Sequence, residues 1–289
     1  MTTDRIRIEG LLCRAVVGLH EWERRGKQDV LLSIVLHTDL RRIAGSDRIE
    51  HGVNYSHVAK AIIEHVEASH RYTIEALATD AAGIALSFAG VERVGVRLSK
   101  PSAERYARAV EVEIERAAAD VTRTAYIVLG SNDRAEERLP RGFTLLSRIG
   151  RVVKATSVHE SPPAGRGPGA NYLNAAAALT TTLPAAEVRR RLKAIERECG
   201  RGGEAPGHIA LDLDLCLIGD EVIDAPDVRV PHPHAAERHY AAALLAMLDP
   251  ALRHPVSGEA LSAIAARLTS DGPLTPRPDI HLLITPHPR

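Results

Sequence analysis

Several things are scarce in this 289-residue chain, and each scarcity excludes something. Cysteine occurs three times, at Cys13, Cys199 and Cys216, an odd number spread far apart. That rules out a disulfide framework and a cysteine-built metal site, and leaves buried reduced thiols. Net charge is lacking too: 37 Lys and Arg balance 37 Asp and Glu. Without a basic footprint, nucleic acid is not an expected partner. No apolar run approaches the roughly 20 residues that cross a bilayer. The N-terminus, MTTDRIRIEG, has no apolar signal region. A soluble cytoplasmic protein with no membrane partner is expected.

A domain typically takes about 100–200 residues, so two are expected, 1–119 and 120–289. Residues 5–18 and 27–39 read as strands; KQDVLLSIVLHTDL alternates and is rich in branched side chains. Residues 54–69 and 73–88 read as amphipathic helices with Asn54 and Thr73 as N-caps. Strands return over 91–100 and 107–116, giving ββααββ, and a charged, alanine-rich join, ERAAADVTRT, follows. In the second block TAYIVLGSN (124–132) reads as a buried strand, 134–150 as helix and 151–158 as strand. SPPAGRGPGAN (161–171) is a loop, and YLNAAAALTT (172–181) is strand or helix by pattern alone. Helix 184–199, strand 209–218 and helix 235–248 complete an α+β pattern. The Pro-rich tail from about 270 is expected to be loosely ordered.

The run APGHIALDLD (205–214) carries the strongest chemical signal. On a strand, Asp212 and Asp214 point to the same face. Such a pattern is most often a solvated edge strand. If buried, two like charges need a cation between them, and magnesium carrying nucleotide phosphates meets that need. The neighbouring motifs favour that reading. VPHPHAAER places His232 and Arg238 at a helix start, where both can meet phosphate. YLN supplies Tyr172 as a stacking face and Asn174 as a paired donor and acceptor for a flat, amide-like heterocycle. Glu196 and Arg201 flank the end of the preceding helix.

Taken in order, AYIVLGSN, SPPAG, NYLNAA, LDLDL and VPHP…ER resemble the 6-hydroxymethyl-7,8-dihydropterin pyrophosphokinase family across about residues 125–267. The resemblance implies a ferredoxin-like α+β domain in which Asp212 and Asp214 hold two magnesium ions bridging the phosphates of ATP, the co-substrate. It implies that Glu196, Arg201, His232 and Arg238 belong to the ATP site, and that Ser161, Pro162, Tyr172, Asn174 and Tyr240 line a pterin slot. One departure stands out. The family's Arg-Trp-Gly-Pro-Arg run before the acidic strand is replaced here by Ala205, Pro206, Gly207, His208 and Ile209. Removing one charge-stabilising donor can cost roughly 10²–10³ in rate. The half is therefore either active with altered loop chemistry, with His208 covering part of the function, or a relative kept as a scaffold; the retained metal pair, His232 and Arg238 favour the first.

In the first block, GLHEWERRGK puts Glu21 and Glu23 in a turn between strands. Tyr55 opens one helix, Glu75 lies at the start of the next, and Lys100 ends a strand before Pro101. With the ββααββ order, these motifs resemble the dihydroneopterin aldolase family across about residues 4–116. The resemblance implies a tunnelling fold and a homo-oligomer, tetramer or octamer, joined through this domain with active sites between subunits. It implies Glu75 as anchor of the pterin's two-donor edge, Glu23 as holder of the substrate hydroxyls, Lys100 as general acid/base and Tyr55 as its assistant, with no cofactor. AERYARAV (103–110) resembles the sister epimerases at least as well.

The product of the aldolase family is the substrate of the pyrophosphokinase family, so the expected function is a bifunctional folate-synthesis enzyme. Two alternatives stand beside it. In one, only the aldolase or epimerase half turns over. In the other, the chain is a non-catalytic pterin- or nucleotide-binding protein. His57, His65 and His70, with no nearby Cys or acidic triad, are expected to be surface or packing residues, and His281 and His287 are given no role.

Overall fold

Strand β2 (Gln28–His37) shows why the first sheet forms. Val30, Leu32, Ile34 and Leu36 take every second position and are fully buried, while Leu31, Ser33 and Val35 between them are half-buried. β2 pairs antiparallel with β1 (Arg5–Ala15) on one side and β3 (Arg93–Pro101) on the other; β4 (Ala109–Ala117) closes the order β1-β2-β3-β4. Between β2 and β3 the chain forms α1 (Arg41–Ser46), α2 (Tyr55–Ala68) and α3 (Ile74–Leu86), and α2 and α3 pack against β1 and β3. Asn54 Oδ1 accepts the Ser56 and His57 N–H groups, and Thr73 Oγ1 accepts that of Ala76. The expected caps are in place, each of a kind worth about 1 kcal/mol. α1 has no counterpart in the sequence reading.

These coordinates come from a computed structural model that describes residues 4–101, 103–163, 170–203, 205, 207–268 and 272–284. The chain divides into two units, Met1–Thr122 with Thr182–Pro184, and Arg123–Thr181 with Ala185–Arg289. Among the described residues no helix is long and apolar enough to cross a membrane.

A short helix, α4 (Ala118–Val121), occupies the join. The second unit then runs β5 (Arg123–Ser131), α5 (Ala135–Leu145), β6 (Arg151–Ala155), β7 (His159–Ser161), β8 (Tyr172–Thr181), α6 (Ala185–Glu198) and β9 (Asp212–Ile218). Pairing is antiparallel throughout, in the order β9-β5-β8-β6, which is the ferredoxin-like arrangement. β8 settles the ambiguity of YLNAAAALTT. Its Ala175, Ala176 and Ala177 are fully buried on both faces of a sheet, whereas a surface helix of the same composition would bury one stripe. One half of β8 pairs with β6 and the other with β7.

Three expectations need correction. The acidic strand begins at Asp212 rather than 209, because Ser131 Oγ donates to the Ala210 carbonyl (2.7 Å) and Asn132 exchanges hydrogen bonds with Ile209. Those groups are taken before a ladder can form. The helix expected over 235–248 is two helices, α7 (His234–Glu237) and α8 (His239–Leu248), separated by extended backbone at Arg238. The tail is anchored. After α9 (Leu261–Arg267), β12 (Thr275–Pro276) adds to the edge of β7, following the small hairpin β10 (Ile223–Ala225) and β11 (Val228–Val230). An edge position tolerates Pro276, which has no donor for a second neighbour. Arg277 then bonds to Glu136, Glu160 and Asp279. Residues 269–271 and 285–289, the latter including His287, lie outside the described residues, and His281 is exposed.

Candidate active sites

In the first unit the turn after β1 is built around Glu23. Its Oε2 accepts the His20 N–H (2.9 Å), and its Oε1 accepts the Lys100 ammonium (2.5 Å). Lys100 also donates to the Val17 carbonyl (3.0 Å). Both side chains are nearly buried, 8% exposed for Lys100 and 10% for Glu23. The hydrogen bond from Lys100 lowers the Glu23 carboxyl below its ordinary range. Gly18 makes the turn possible. Its φ of +150° is one that side chains rarely adopt, and a Cβ there would overlap the Glu23 carboxyl carbon at 2.3 Å. Gln28 Nε2 fastens the same loop through the Val17 and Glu23 carbonyls.

Tyr55 and Glu75 are exposed at the starts of α2 and α3. Among the described residues neither hydrogen-bonds to Lys100 or Glu23. This unit therefore assembles half of its expected site.

The three histidines fall on the surface or in the packing. His57 is exposed, but His65 is buried and does have an acidic partner: its Nε2 lies 3.0 Å from Asp80 Oδ2. Arg71 grips the same carboxylate with two bonds, at 2.7 and 2.8 Å. Arg24 in turn donates to the His70, Arg71 and Gly18 carbonyls, tying this cluster to the Glu23 turn. Asp80 is 15 residues from His65, too far for local spacing to announce the pair.

In the second unit, one cavity of about 240 Å³ collects most of the expected residues. Ser161, Pro162, Tyr172 and Asn174 form one side, and Asp212, Asp214, Arg238 and Tyr240 another. Asn174 Nδ2 donates to Ser161 Oγ (2.9 Å) and toward the Tyr172 carbonyl. Its donor end is thus occupied, so what it offers a ligand is its oxygen, not the donor–acceptor pair expected. Gly272, at φ +85°, packs where a Cβ would meet Pro162 at 2.5 Å. The anchored tail is thus part of the cavity wall.

β9 is an edge strand, as the commoner reading of LDLDL has it, but its acids are not freely solvated. Asp212 is 34% exposed and Asp214 13%. Burial, then repulsion from Asp214, raises the Asp212 carboxyl above its ordinary value. Burial acts the same way on Asp214, but the His234 hydrogen bond (2.9 Å) and the charge of His232 reverse it. That bond raises His234, while burial lowers His232. Arg201 and Lys193 lie 3.7 and 3.9 Å from Asp212. The two carboxylates offer oxygens to a hard cation. Asp214, His232 and His234 offer one ligand atom each, all within 4.8 Å of one another.

Glu196 does not face the cavity. It is buried behind β9, where its Oε1 accepts the Leu213 N–H (2.7 Å) and the Lys193 ammonium (2.6 Å). It holds the strand between the two aspartates. His208 is exposed in the turn before the strand, and the cavity is lined there by Ile209.

Residues 6–115 match the family model of dihydroneopterin aldolase, and residues 126–250 that of 7,8-dihydro-6-hydroxymethylpterin-pyrophosphokinase. A dihydroneopterin aldolase of Haemophilus influenzae is 34% identical over 113 residues, 39% of this chain and 96% of that protein. A 2-amino-4-hydroxy-6-hydroxymethyldihydropteridine pyrophosphokinase of Pseudomonas aeruginosa is 33% identical over 151 residues, 51% of this chain and 93% of that protein. The chain belongs to both families. The folic acid synthesis protein FOL1 of Dictyostelium discoideum aligns across both halves, 29% identical over 281 residues and 87% of this chain. The chain spans 42% of that relative's length, and 37% of two fungal ones.

Within the pyrophosphokinase half, sequence reasoning passed over His234, Lys193 and the tail. The PHPH spacing contained a signal for His234, since residues two apart in a turn can converge on one partner. Arg277 lies 117 residues from Glu160, and no local pattern announces that contact.

Proposed function

We propose that this chain is a cytoplasmic bifunctional enzyme of folate synthesis. The aldolase half cleaves 7,8-dihydroneopterin, and the pyrophosphokinase half activates the product. The observation that carries the reading is the second-unit cavity, where slot residues and the Asp212–Asp214 pair face a common space. Family membership of both halves in consecutive pterin steps supports it.

In the first step a base takes the proton of the side-chain hydroxyl next to the breaking carbon–carbon bond. That bond breaks, its electrons enter the dihydropterin C=N bond, glycolaldehyde leaves, and the remaining carbon is protonated. Lys100 donates hydrogen bonds to two oxygens, and it serves as the base once an ammonium proton has passed to water. Substrate hydroxyls that bond to Glu23 in place of the ammonium weaken that pair and favour transfer of the ammonium proton to water, which carries it to solvent. Glu75 anchors the pterin edge and Tyr55 assists proton transfer. These two are exposed and, among the described residues, make no hydrogen bond to Lys100 or Glu23, and in this reading a second copy of the chain completes the site in a homo-oligomer.

In the second step the hydroxymethyl oxygen gives its proton to water and bonds to the β-phosphorus of ATP. The bond from that phosphorus to the oxygen bridging the α-phosphate breaks, and AMP leaves. Tyr172 presents a ring face and Asn174 an acceptor to the pterin, while Tyr240 and Pro162 bound the slot. Arg201, His232 and Arg238 meet the phosphates. The paired carboxylates, with Asp212 raised by burial and by its neighbour's charge, fit two magnesium ions held by Asp212 and Asp214. When bound, these ions supply charge neutralisation for phosphoryl transfer. Positioning and electrostatics account for most of such a step.

Two variants test the assignment. Lys100→Ala is expected to slow glycolaldehyde release by roughly 10²–10⁴ and leave AMP formation from supplied hydroxymethyl-dihydropterin intact. Asp212→Ala is expected to do the reverse, by roughly 10²–10³. Unchanged turnover in both variants would overturn both assignments.

A further inference from the structure

The loop entering α7 sets two imidazoles, two residues apart, beside one carboxylate. His234 Nδ1 lies 2.9 Å from Asp214 Oδ2, and His232 Nε2 lies 3.6 Å from Asp214 Oδ1. The two rings meet edge to face with centroids 4.5 Å apart. A ligand atom of each residue lies within 4.8 Å of those of the other two. The backbone fixes this meeting: the His232 N–H donates to the Cys216 carbonyl (2.9 Å), fastening the loop to the strand that carries Asp214. The side chains are 13–32% exposed, so an ion can reach them from solvent.

This is a different donor set from the aspartate pair. Magnesium takes oxygen ligands and gives up its waters reluctantly. Two imidazoles and a carboxylate, with further positions open to water, suit zinc and its first-row neighbours, for which affinity at such a site rises from manganese to copper and falls back at zinc. We propose that Asp214, His232 and His234 form a second metal site, selective for a zinc-class divalent cation. It overlaps the magnesium pair at Asp214 alone. An ion held there occupies a magnesium ligand and takes His232 from the phosphates, so it inhibits pyrophosphoryl transfer. The inhibition rests on the pyrophosphokinase reading; the site itself does not.

Cobalt(II) is the probe. The full chain, freed of metal by a chelator, is titrated with Co²⁺ in millimolar Mg²⁺ and followed by visible ligand-field absorption. The expected result is one Co²⁺ per chain, displaced by one equivalent of Zn²⁺. His232→Gln and His234→Gln should each weaken binding by more than about tenfold, the loss typical of perturbing a metal site. His57→Gln, an exposed histidine of the first unit, should bind as wild type. Thermal unfolding checks each variant's fold, and two independent ligand variants keep the test decisive if one is unstable. No binding in the presence of Mg²⁺, or wild-type affinity in folded His234→Gln, would overturn the proposal. Because the readout is spectroscopic, a failed site and a failed pyrophosphokinase assignment remain distinguishable.

Discussion

In the pyrophosphokinase half, Ser161, Tyr172, Asn174, Asp212, Asp214 and Arg238 all line one cavity. In the aldolase half, Lys100 and Glu23 lock together while Tyr55 and Glu75 stand exposed at two helix starts. The first site is closed by its own chain, down to a tail whose Gly272 packs on Pro162. The second is proposed to be an open half-site. The difference contrasts two ways of building a site: one half finishes its pocket with a distant segment of the same chain, and under the proposed function a second copy would complete the other.

The largest expected effect comes from mixing subunits. Glu75→Ala and Lys100→Ala should each abolish most retro-aldol turnover alone. Co-assembled after denaturation and refolding, they should recover part of it, because some sites then pair two intact residues. No recovery would mean that both residues serve a site on one chain, and the contrast between the halves would fall.

The next effect is on stability. Burial pushes the Asp80 carboxyl up, and hydrogen bonds from His65 and Arg71 more than reverse this, so its pKa is lowered on folding. A lowered carboxyl gives stability above the unfolded value of about 3.9 that is lost as pH falls through the folded value. Asp80→Asn should therefore destabilise the aldolase half by about 3 kcal/mol at pH 7, the scale of a broken buried pair. Thermal unfolding should show the gap to wild type closing below about pH 4. A gap independent of pH would remove the ion pair from the account.

A smaller effect is expected at the tail. Arg277→Ala frees β12 from Glu136 and Glu160 and loosens the wall at Pro162. The pyrophosphokinase KM for the pterin should rise about threefold with kcat unchanged, the scale of a partly exposed ion pair. An equal loss in kcat and kcat/KM would instead place Arg277 in the transition state.

Much of the fold is legible because its elements are locally encoded. The alternation of β2 and the Asn54 and Thr73 caps place unit-one elements within a few residues, and Asp212 and Asp214 declare their common face by spacing alone. What was not legible depends on distant partners. Asn132 stops the ladder before Asp212 from 77 residues away. Glu196 looks like a helix-end acid until its bond to Leu213 turns it inward. The tail reads as loose because Arg277 finds its carboxylates only after the sheet is built.

The central claim is that one chain carries two consecutive pterin reactions. The most direct test is one incubation of purified protein with dihydroneopterin, ATP and magnesium, read by mass spectrometry. The account predicts hydroxymethyl-dihydropterin diphosphate, with glycolaldehyde and AMP formed in equal amounts. Hydroxymethyl-dihydropterin accumulating while ATP stays intact would contradict it.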